Sequence, residues 1–322
     1  MASPRLAAAF QLTRFSVALG AMADIWLVLI ITRSDNGYVM VPAFSVPWII
    51  AAVAGAVIAL GLCGFAAALN DALDVRHDAA FHPHRPIPSG RVPVAQAVVL
   101  VIAGLLLALA AASALGTWPV RMALLTAAAI LFYNAVGKFV PAVGLVTVGL
   151  IYAAHMLIPN IELTFVLPVW LVMTHAMVCA MGIHTLENKR PRLSPRAWLG
   201  VLLGWCFWSG VLLVGPYARM GTLLPAGMSL MDLMWPAAAI LGFAMTARWK
   251  VAGAASHASA AEKLRRYGAL WECLYAAAWL AALGLHGWAI GMLAFAAAGF
   301  GTVTIVKEMI GASHAATAWR VR

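Results

Sequence analysis

WIIAAVAGAVIALGLCGFAAAL, residues 48–69, runs without a charge and then breaks into Asn70-Asp71-Ala72-Leu73-Asp74-Val75-Arg76-His77-Asp78. Crossing the hydrocarbon of a bilayer takes about 20 apolar residues as a helix. The run meets that length, and the change to acidic residues at its end marks a membrane boundary. Similar runs recur at 14–33, 94–115, 120–137, 140–159, 164–186, 197–216, 231–247, 268–286 and 288–306. Prolines and glycines separate them, among them Pro42, Pro47, Gly116, Pro119, Pro159, Pro195 and Pro225. Only helices or closed barrels satisfy backbone polar groups in lipid, and no period-2 barrel pattern is present. The expected fold is therefore all-α: a polytopic transmembrane bundle of nine or ten helices, filling residues 1–322 as one domain.

Composition agrees. The chain is 64% hydrophobic and 10% charged, with mean hydropathy +0.93, whereas a soluble domain carries roughly 25% charged residues. Cys63, Cys179, Cys206 and Cys273 lie singly in apolar runs, as buried thiols do, rather than as a disulfide framework or zinc site. Arg5 and Arg14 precede a first apolar run of spanning length, which reads as a retained helix rather than a cleaved signal.

The net charge of +10 invites a nucleic-acid reading, but its distribution reports topology. With ten spans, eighteen of the 21 Lys and Arg fall on the side of the N-terminus; Arg33, Arg121 and Arg219 remain on the other. The positive-inside rule makes the first side cytoplasmic. Basic residues scattered over loops do not form a nucleic-acid footprint. Loops 70–93, 187–196 and 248–267 then share the cytoplasmic face.

Asp71, Asp74 and Asp78 stand at i, i+3 and i+7. If the helix runs through them they form one stripe, with Asn70 one turn from Asp74. Three carboxylates on a stripe repel unless a cation lies between them. Hard oxygens suit Mg²⁺, which keeps waters and takes further ligands from substrate phosphates. A transporter's cation site fits the same cluster.

Arg85-Pro86-Ile87-Pro88-Ser89-Gly90 follows as a stiff cationic loop. With it the sequence resembles the UbiA superfamily of intramembrane prenyltransferases, whose first signature is Asn-Asp-x-x-Asp-x-x-x-Asp followed by Arg-Pro-Ile-Pro-Ser-Gly. Asn70, Asp71, Asp74, Asp78 and residues 85–90 match it throughout. Tyr133-Asn134-Ala135-Val136-Gly137-Lys138 looks like the family's Tyr-x-x-x-x-Lys element, which implies that Lys138 helps hold a diphosphate. The specific motifs cover only about 30 residues.

The family's second acidic motif is altered. At its place stand Glu187, Asn188, Lys189 and Arg190, followed by Arg192, with Glu187 the one carboxylate. The chain resembles a divergent branch of the superfamily, such as the EboC-like one. Glu187 with Asn188 would offer oxygens to a second Mg²⁺, or Lys189 and Arg190 would meet diphosphate oxygens directly.

The resemblance implies a Mg²⁺-dependent prenyltransferase at the cytoplasmic side of a bacterial inner membrane. Its partners would be a prenyl diphosphate donor, a lipid-phase acceptor and membrane lipids. Asp71, Asp74, Asp78 and Lys138 would be catalytic. Asn70, Arg85, Tyr133, Asn134, Glu187, Asn188, Lys189 and Arg190 would bind substrate. The metal would sit on Asp71, Asp74, Asp78 and Glu187. A terpene cyclase or phosphosugar transferase on the same scaffold, and a transporter or lipid-export component, are the alternatives. On this reading residues 70–93, 133–138 and 187–192 converge on one end of the bundle around a cavity.

Asp24 and Glu272 lie inside apolar runs. Asp24 is expected to hydrogen-bond another helix, with lining of a substrate cavity as the alternative. His155, Asn160 and His175 read as interhelical or interfacial polar groups. His77, His82 and His84 lack a matching second pair for zinc.

Overall fold

The computed structural model describes residues 15–319 except 82 and 84, with side chains described over residues 16–305. Arg5, Arg14, His82, His84, Arg320 and Arg322 lie outside the described residues, and Lys307 outside the described side chains.

Ten long helices carry the fold: α1 Phe15–Ser34, α2 Trp48–Leu73, α3 Val94–Ser113, α4 Thr117–Ala135, α5 Pro141–Met156, α6 Leu167–Leu186, α7 Pro195–Met220, α8 Met234–Ala252, α9 His257–Ala282 and α10 His286–Trp319. Each answers one apolar run of the sequence, and no strand occurs among the described residues. Seven are long and apolar enough to cross a membrane, and α5 is a shorter apolar helix. The chain is a multi-pass membrane protein.

The polar stretches are more helical than expected. Residues 248–267 read as a loop, but α8 continues to Ala252 and α9 begins at His257, so only four residues connect them. Ser256 caps α9 by accepting a hydrogen bond from the Ser259 amide, and Ser194 caps α7 by accepting from Ala197, with Pro195 in the first turn. A polar N-cap followed by Ala, Lys, Arg and Glu favours helix whether or not lipid surrounds it.

Six helices pack in a ring in the order α1, α2, α4, α5, α6, α9 and back to α1, with α1 also packed on α5 across it. The others lie outside it: α3 on α2 and α4, α7 on α5 and α6, α8 on α9, and α10 on α9 and α1. Their outward faces expose large apolar side chains such as Leu106, Leu203, Phe207 and Leu241, as lipid contact requires. The far end of the ring is tied by polar side chains. Asn160 donates to Thr32 across 3.0 Å, and the Tyr38 hydroxyl lies 2.7 Å from that of Thr164. An apolar groove of about 340 Å³ lined by Ile49, Val53, Val57 and Ala111 opens towards the start of α2, away from Asp71.

Because lipid tails are as apolar as Leu, packing here rests on close approach rather than on hydrophobic drive. At the α2–α3 crossing a Cβ on Gly61 would stand 2.7 Å from the Gly104 carbonyl, and one on Gly104 2.8 Å from the Gly61 carbonyl. Backbone faces backbone, so neither side can yield. Gly104→Val is expected to part α2 from α3 and to cost about 1–3 kcal/mol, measured as a lower unfolding temperature in detergent; an unchanged midpoint would refute the crossing.

Candidate active site at the acidic end of α2

The helix does not run through the acidic cluster. α2 ends at Leu73, Asp74 takes the capping position with φ −92° and ψ 7°, and a short helix restarts at Val75–Phe81. The expected single stripe of Asp71, Asp74 and Asp78 is therefore bent. Electrostatics supply the reason. Carboxylates are disfavoured at the negative end of a helix and repel one another at helical spacing, whereas the break puts Asp78 into the first turn of the next helix.

Asp74 meets a cation far away in the sequence, and Asp78 one from the loop that follows it. Asp74 Oδ1 lies 2.5 Å from Lys138 Nζ, across 64 residues. Lys138 sits in the one-turn segment Gly137–Phe139 between α4 and α5. Asp78, 2% exposed, receives a 2.7 Å bond from Arg85 Nη1. Asn70 Nδ2 stands 3.4 Å from Asp71 Oδ1. Thus Asp74 and Lys138 share one end of the bundle, as the catalytic assignment requires.

The loop after Arg85 is folded onto this end. The amides of Ser89, Gly90 and Val92 bond to the carbonyls of Arg85, Ile87 and Pro86, each at 3.0 Å. Gly90 has φ +74°, a turn conformation that a Cβ would oppose. Ile87, Val92 and Ala97 form a small buried cluster against Ala72 and Val75, between the aspartates. The apolar side chains of the loop dock it, and the Asp78–Arg85 pair fixes its charged start. Nearby, Asn134 is buried on α4; its amide donates to the Ile130 carbonyl and its Oδ1 has no hydrogen-bond partner among the described residues. Tyr133, its neighbour, is half-buried.

The second group is built differently. Glu187 caps α6 and stands 3.0 Å from Lys189 Nζ and 2.6 Å from Arg265 Nη2 of α9. Burial alone would raise its carboxyl pKa, but Lys189 and Arg265 outweigh burial and hold it below the ordinary 4.5. Asn188 takes a positive φ of 48°, and Arg190 is exposed. Arg265 had registered in the sequence only as one of many cytoplasmic cations. No local spacing links it to Glu187, 78 residues away.

Among the described residues no three His, Cys, Asp or Glu side chains gather as a metal cluster. Mg²⁺, however, commonly takes only one or two carboxylates and completes its shell with water and phosphate. Asp71 and Asp74, with the Asn70 oxygen, would supply such a donor set on one helix end. Asp74 is paired with one cation, Lys138; Asp78 is paired with Arg85, and Glu187 with both Lys189 and Arg265.

Residues 36–190 match the family model of the UbiA prenyltransferase family. Over 137 residues the chain is 35% identical to the bacteriochlorophyll synthase 33 kDa chain of Rhodobacter capsulatus, covering 39% of this chain and 45% of that one. The match thus spans less than half the length of that relative. The fold is similar to the solved structure of a digeranylgeranylglyceryl phosphate synthase in membranes, with TM-score 0.55 and 15% identity over 86% of this chain and 98% of that one. The resemblance to the UbiA superfamily read from the motifs is borne out.

Two outcomes follow from the ion pairs. Asp78→Ala should release the docked loop and speed amide exchange at Ser89, Gly90 and Val92 by about tenfold or more, since a charge-assisted bond contributes roughly 1.5–3 kcal/mol; unchanged exchange would refute the docking. For Glu187 the folded pKa is depressed, so its contribution is complete above 4.5 and is lost as pH falls through the lower folded value. Thermal stability should fall in that acid range, and Glu187→Gln should flatten the dependence.

Proposed function

We propose, from the match of residues 36–190 to the UbiA prenyltransferase family, that this chain is an intramembrane prenyltransferase. It moves an isoprenyl group from its diphosphate to a lipid-phase acceptor at the cytoplasmic face of a bacterial inner membrane. The observation that carries the reading is the Asp74–Lys138 pair beneath the docked Arg85 loop. Acidic metal-ligand chemistry and a phosphate-binding cation meet there at one membrane boundary.

The residues divide the work. Asp71 and Asp74 would hold Mg²⁺, with Asn70 beside them. A bound Mg²⁺ supplies positive charge to a departing diphosphate. Lys138, released from Asp74 as the anion arrives, meets phosphate oxygens, and Arg85 presents its planar donors from the loop. Asp78 keeps Arg85 aimed. Tyr133 and Asn134 border the same end from α4. The C1–O bond breaks with its electron pair leaving on diphosphate, C1 bonds to the acceptor, and the acceptor gives up a proton. The surrounding apolar helices keep water from the allylic cation. At the second group Glu187 is bracketed by cations, so Arg190 is the better candidate for contact with phosphate than Glu187 is for metal.

The test is turnover of a labelled prenyl diphosphate with Mg²⁺ by the reconstituted protein. Asp71→Ala, Asp74→Ala and Lys138→Ala should each lower the rate by about a hundredfold or more, the usual size of a lost charge-stabilising group, in protein that remains folded. Glu187→Ala should be mild and Arg190→Ala severe. Full transfer by the Asp71→Ala/Asp74→Ala double variant would end the metal assignment. Donor binding without turnover over a broad acceptor set would favour a carrier instead.

A further inference from the structure

At the membrane boundary opposite the acidic end, α1, α2 and α10 border another cavity. It measures about 250 Å³ and is lined by Ile30, Arg33 and Ser34 from the end of α1, Trp48 from the start of α2 and Trp288 from the start of α10. Trp48 opens a helix of 26 residues whose last turn carries Asn70 and Asp71. At about 1.5 Å per residue the two ends stand roughly 40 Å apart, the thickness of a bilayer with its headgroup regions. The cavity therefore sits at headgroup depth on the far side. Its two indoles touch, with ring centroids 4.7 Å apart, and Trp288 is 43% exposed. Indoles at that depth are ordinary interfacial anchors. The arginine beside them is not.

Arg33 Nη1 donates to the carbonyl of Ala43, at 3.2 Å, and to that of Val46, which staples the short helix Pro42–Ser45 to the end of α1. That staple uses one nitrogen. Among the described residues Nε and Nη2 have no hydrogen-bond partner, and no carboxylate pairs with the guanidinium. Asp35, two residues on, accepts from the Gly37 amide instead. Ser34 offers the cavity no donor, because its hydroxyl donates to the Ile30 carbonyl across 2.8 Å. The guanidinium carbon lies 5.9 Å from the Trp48 ring centre, so cation and indole form one wall. Arg121, another cation on this side, stands 4.6 Å from the Trp118 ring but is exposed, and water meets it. Arg33 is half-buried. A half-buried charge at the edge of hydrocarbon calls for a counter-charge. Nε and Nη2 together form the planar fork that matches two oxygens of a phosphate.

We propose that this cavity binds a membrane glycerophospholipid, with its phosphodiester on Arg33 Nε and Nη2 and its glycerol and first acyl carbons against Ile30, Trp48 and Trp288. The depth of the cavity is that of lipid phosphates. Its walls other than Arg33 and Ser34 are an isoleucine and two indoles, which suit the junction of headgroup and acyl chain and give a small hydrated anion nothing in return for its lost water. A phosphodiester carries one negative charge, which matches the one cation left unpaired. The bound lipid ties α10, which packs outside the ring, to the ends of α1 and α2. The site lies at the other end of the bundle from Asp71 and Asp74 and takes no part in the proposed transfer.

The experiment is native mass spectrometry of the full-length protein in neutral detergent, titrated with dioleoylphosphatidylglycerol or with dioleoylglycerol, which has the same chains and no phosphate. Other cations of the chain also attract phosphatidylglycerol, so the reading is the difference between variants. Wild type should retain one phosphatidylglycerol more than Arg33→Gln, whose affinity for that lipid should fall by about tenfold or more. Arg121→Gln should retain as many as wild type. Arg33→Lys keeps the charge without the fork and should weaken that lipid less than Arg33→Gln does. Trp288→Leu leaves the bonds of Arg33 to Ala43 and Val46 in place and should weaken the same lipid by roughly threefold or more; it carries the test if Arg33→Gln does not fold. Glycerol 1-phosphate should not displace the lipid. Retention of the wild-type number of phosphatidylglycerols by both Arg33→Gln and Trp288→Leu would overturn the proposal, as would an equal loss in Arg121→Gln. Dioleoylglycerol bound as tightly as phosphatidylglycerol would make the cavity merely apolar and sink the phosphate contact. Displacement by glycerol 1-phosphate would assign Arg33 to a soluble phosphate and sink the lipid.

Discussion

A carboxylate at a membrane boundary must be met by a cation, and in this chain that requirement organises one whole end of the bundle. Asp74 would repel Asp71 and Asp78 along a continuous helix, yet with the helix broken it reaches Lys138 on the far side of α4. Asp78 turns into the first turn of the next helix and draws Arg85 inward. The loop that Arg85 begins is then close enough to bury Ile87 and Val92 against Ala72 and Val75. Without that requirement Lys138 has no reason to meet Asp74 across 64 residues. The apolar helices alone would be content with many arrangements, because lipid satisfies their surfaces equally well in all of them.

The same ion pairs explain how the site can rest without its substrate. Lys138 and Arg85, the cations proposed for phosphate at this end, are each held by a carboxylate, so neither is left bare at the edge of the hydrocarbon. An arriving diphosphate competes with Asp74 for Lys138, and a divalent cation competes with Lys138 for Asp74. Binding both together exchanges one internal pair for two external ones, which keeps the charge balanced at every stage. Glu187 lacks this property. Bracketed by Lys189 and Arg265, it would have to shed two cations to take up a metal.

Much of this was legible in the residues. The ten helices were readable because apolar length is the strongest signal a membrane sequence carries, and the acidic end with its Arg-Pro-Ile-Pro-Ser-Gly loop was readable as a motif. The break at Asp74 was not, since periodicity describes a helix as if it continued and takes no account of charge at its end. Residues 257–267 were mistaken for loop because Lys, Arg and Glu look like solvated linker, although the same residues are good helix formers behind Ser256. Arg265 as the partner of Glu187 was out of reach altogether: the pairing is made by the contact of α6 with α9, and nothing in either segment encodes it alone.

Asp24 and Glu272 mark the limit in the other direction. The sequence shows two carboxyls inside apolar runs and suggests a bonded pair of helices as the ordinary explanation. Packing makes that explanation fail, because α1 and α9 come together at Gly20 so closely that Glu272 is enclosed, and among the described residues nothing bonds to three of the four carboxyl oxygens. A protein held together by close backbone approach gains nothing from enclosing charge-capable groups that meet no partner, and loses stability by doing so.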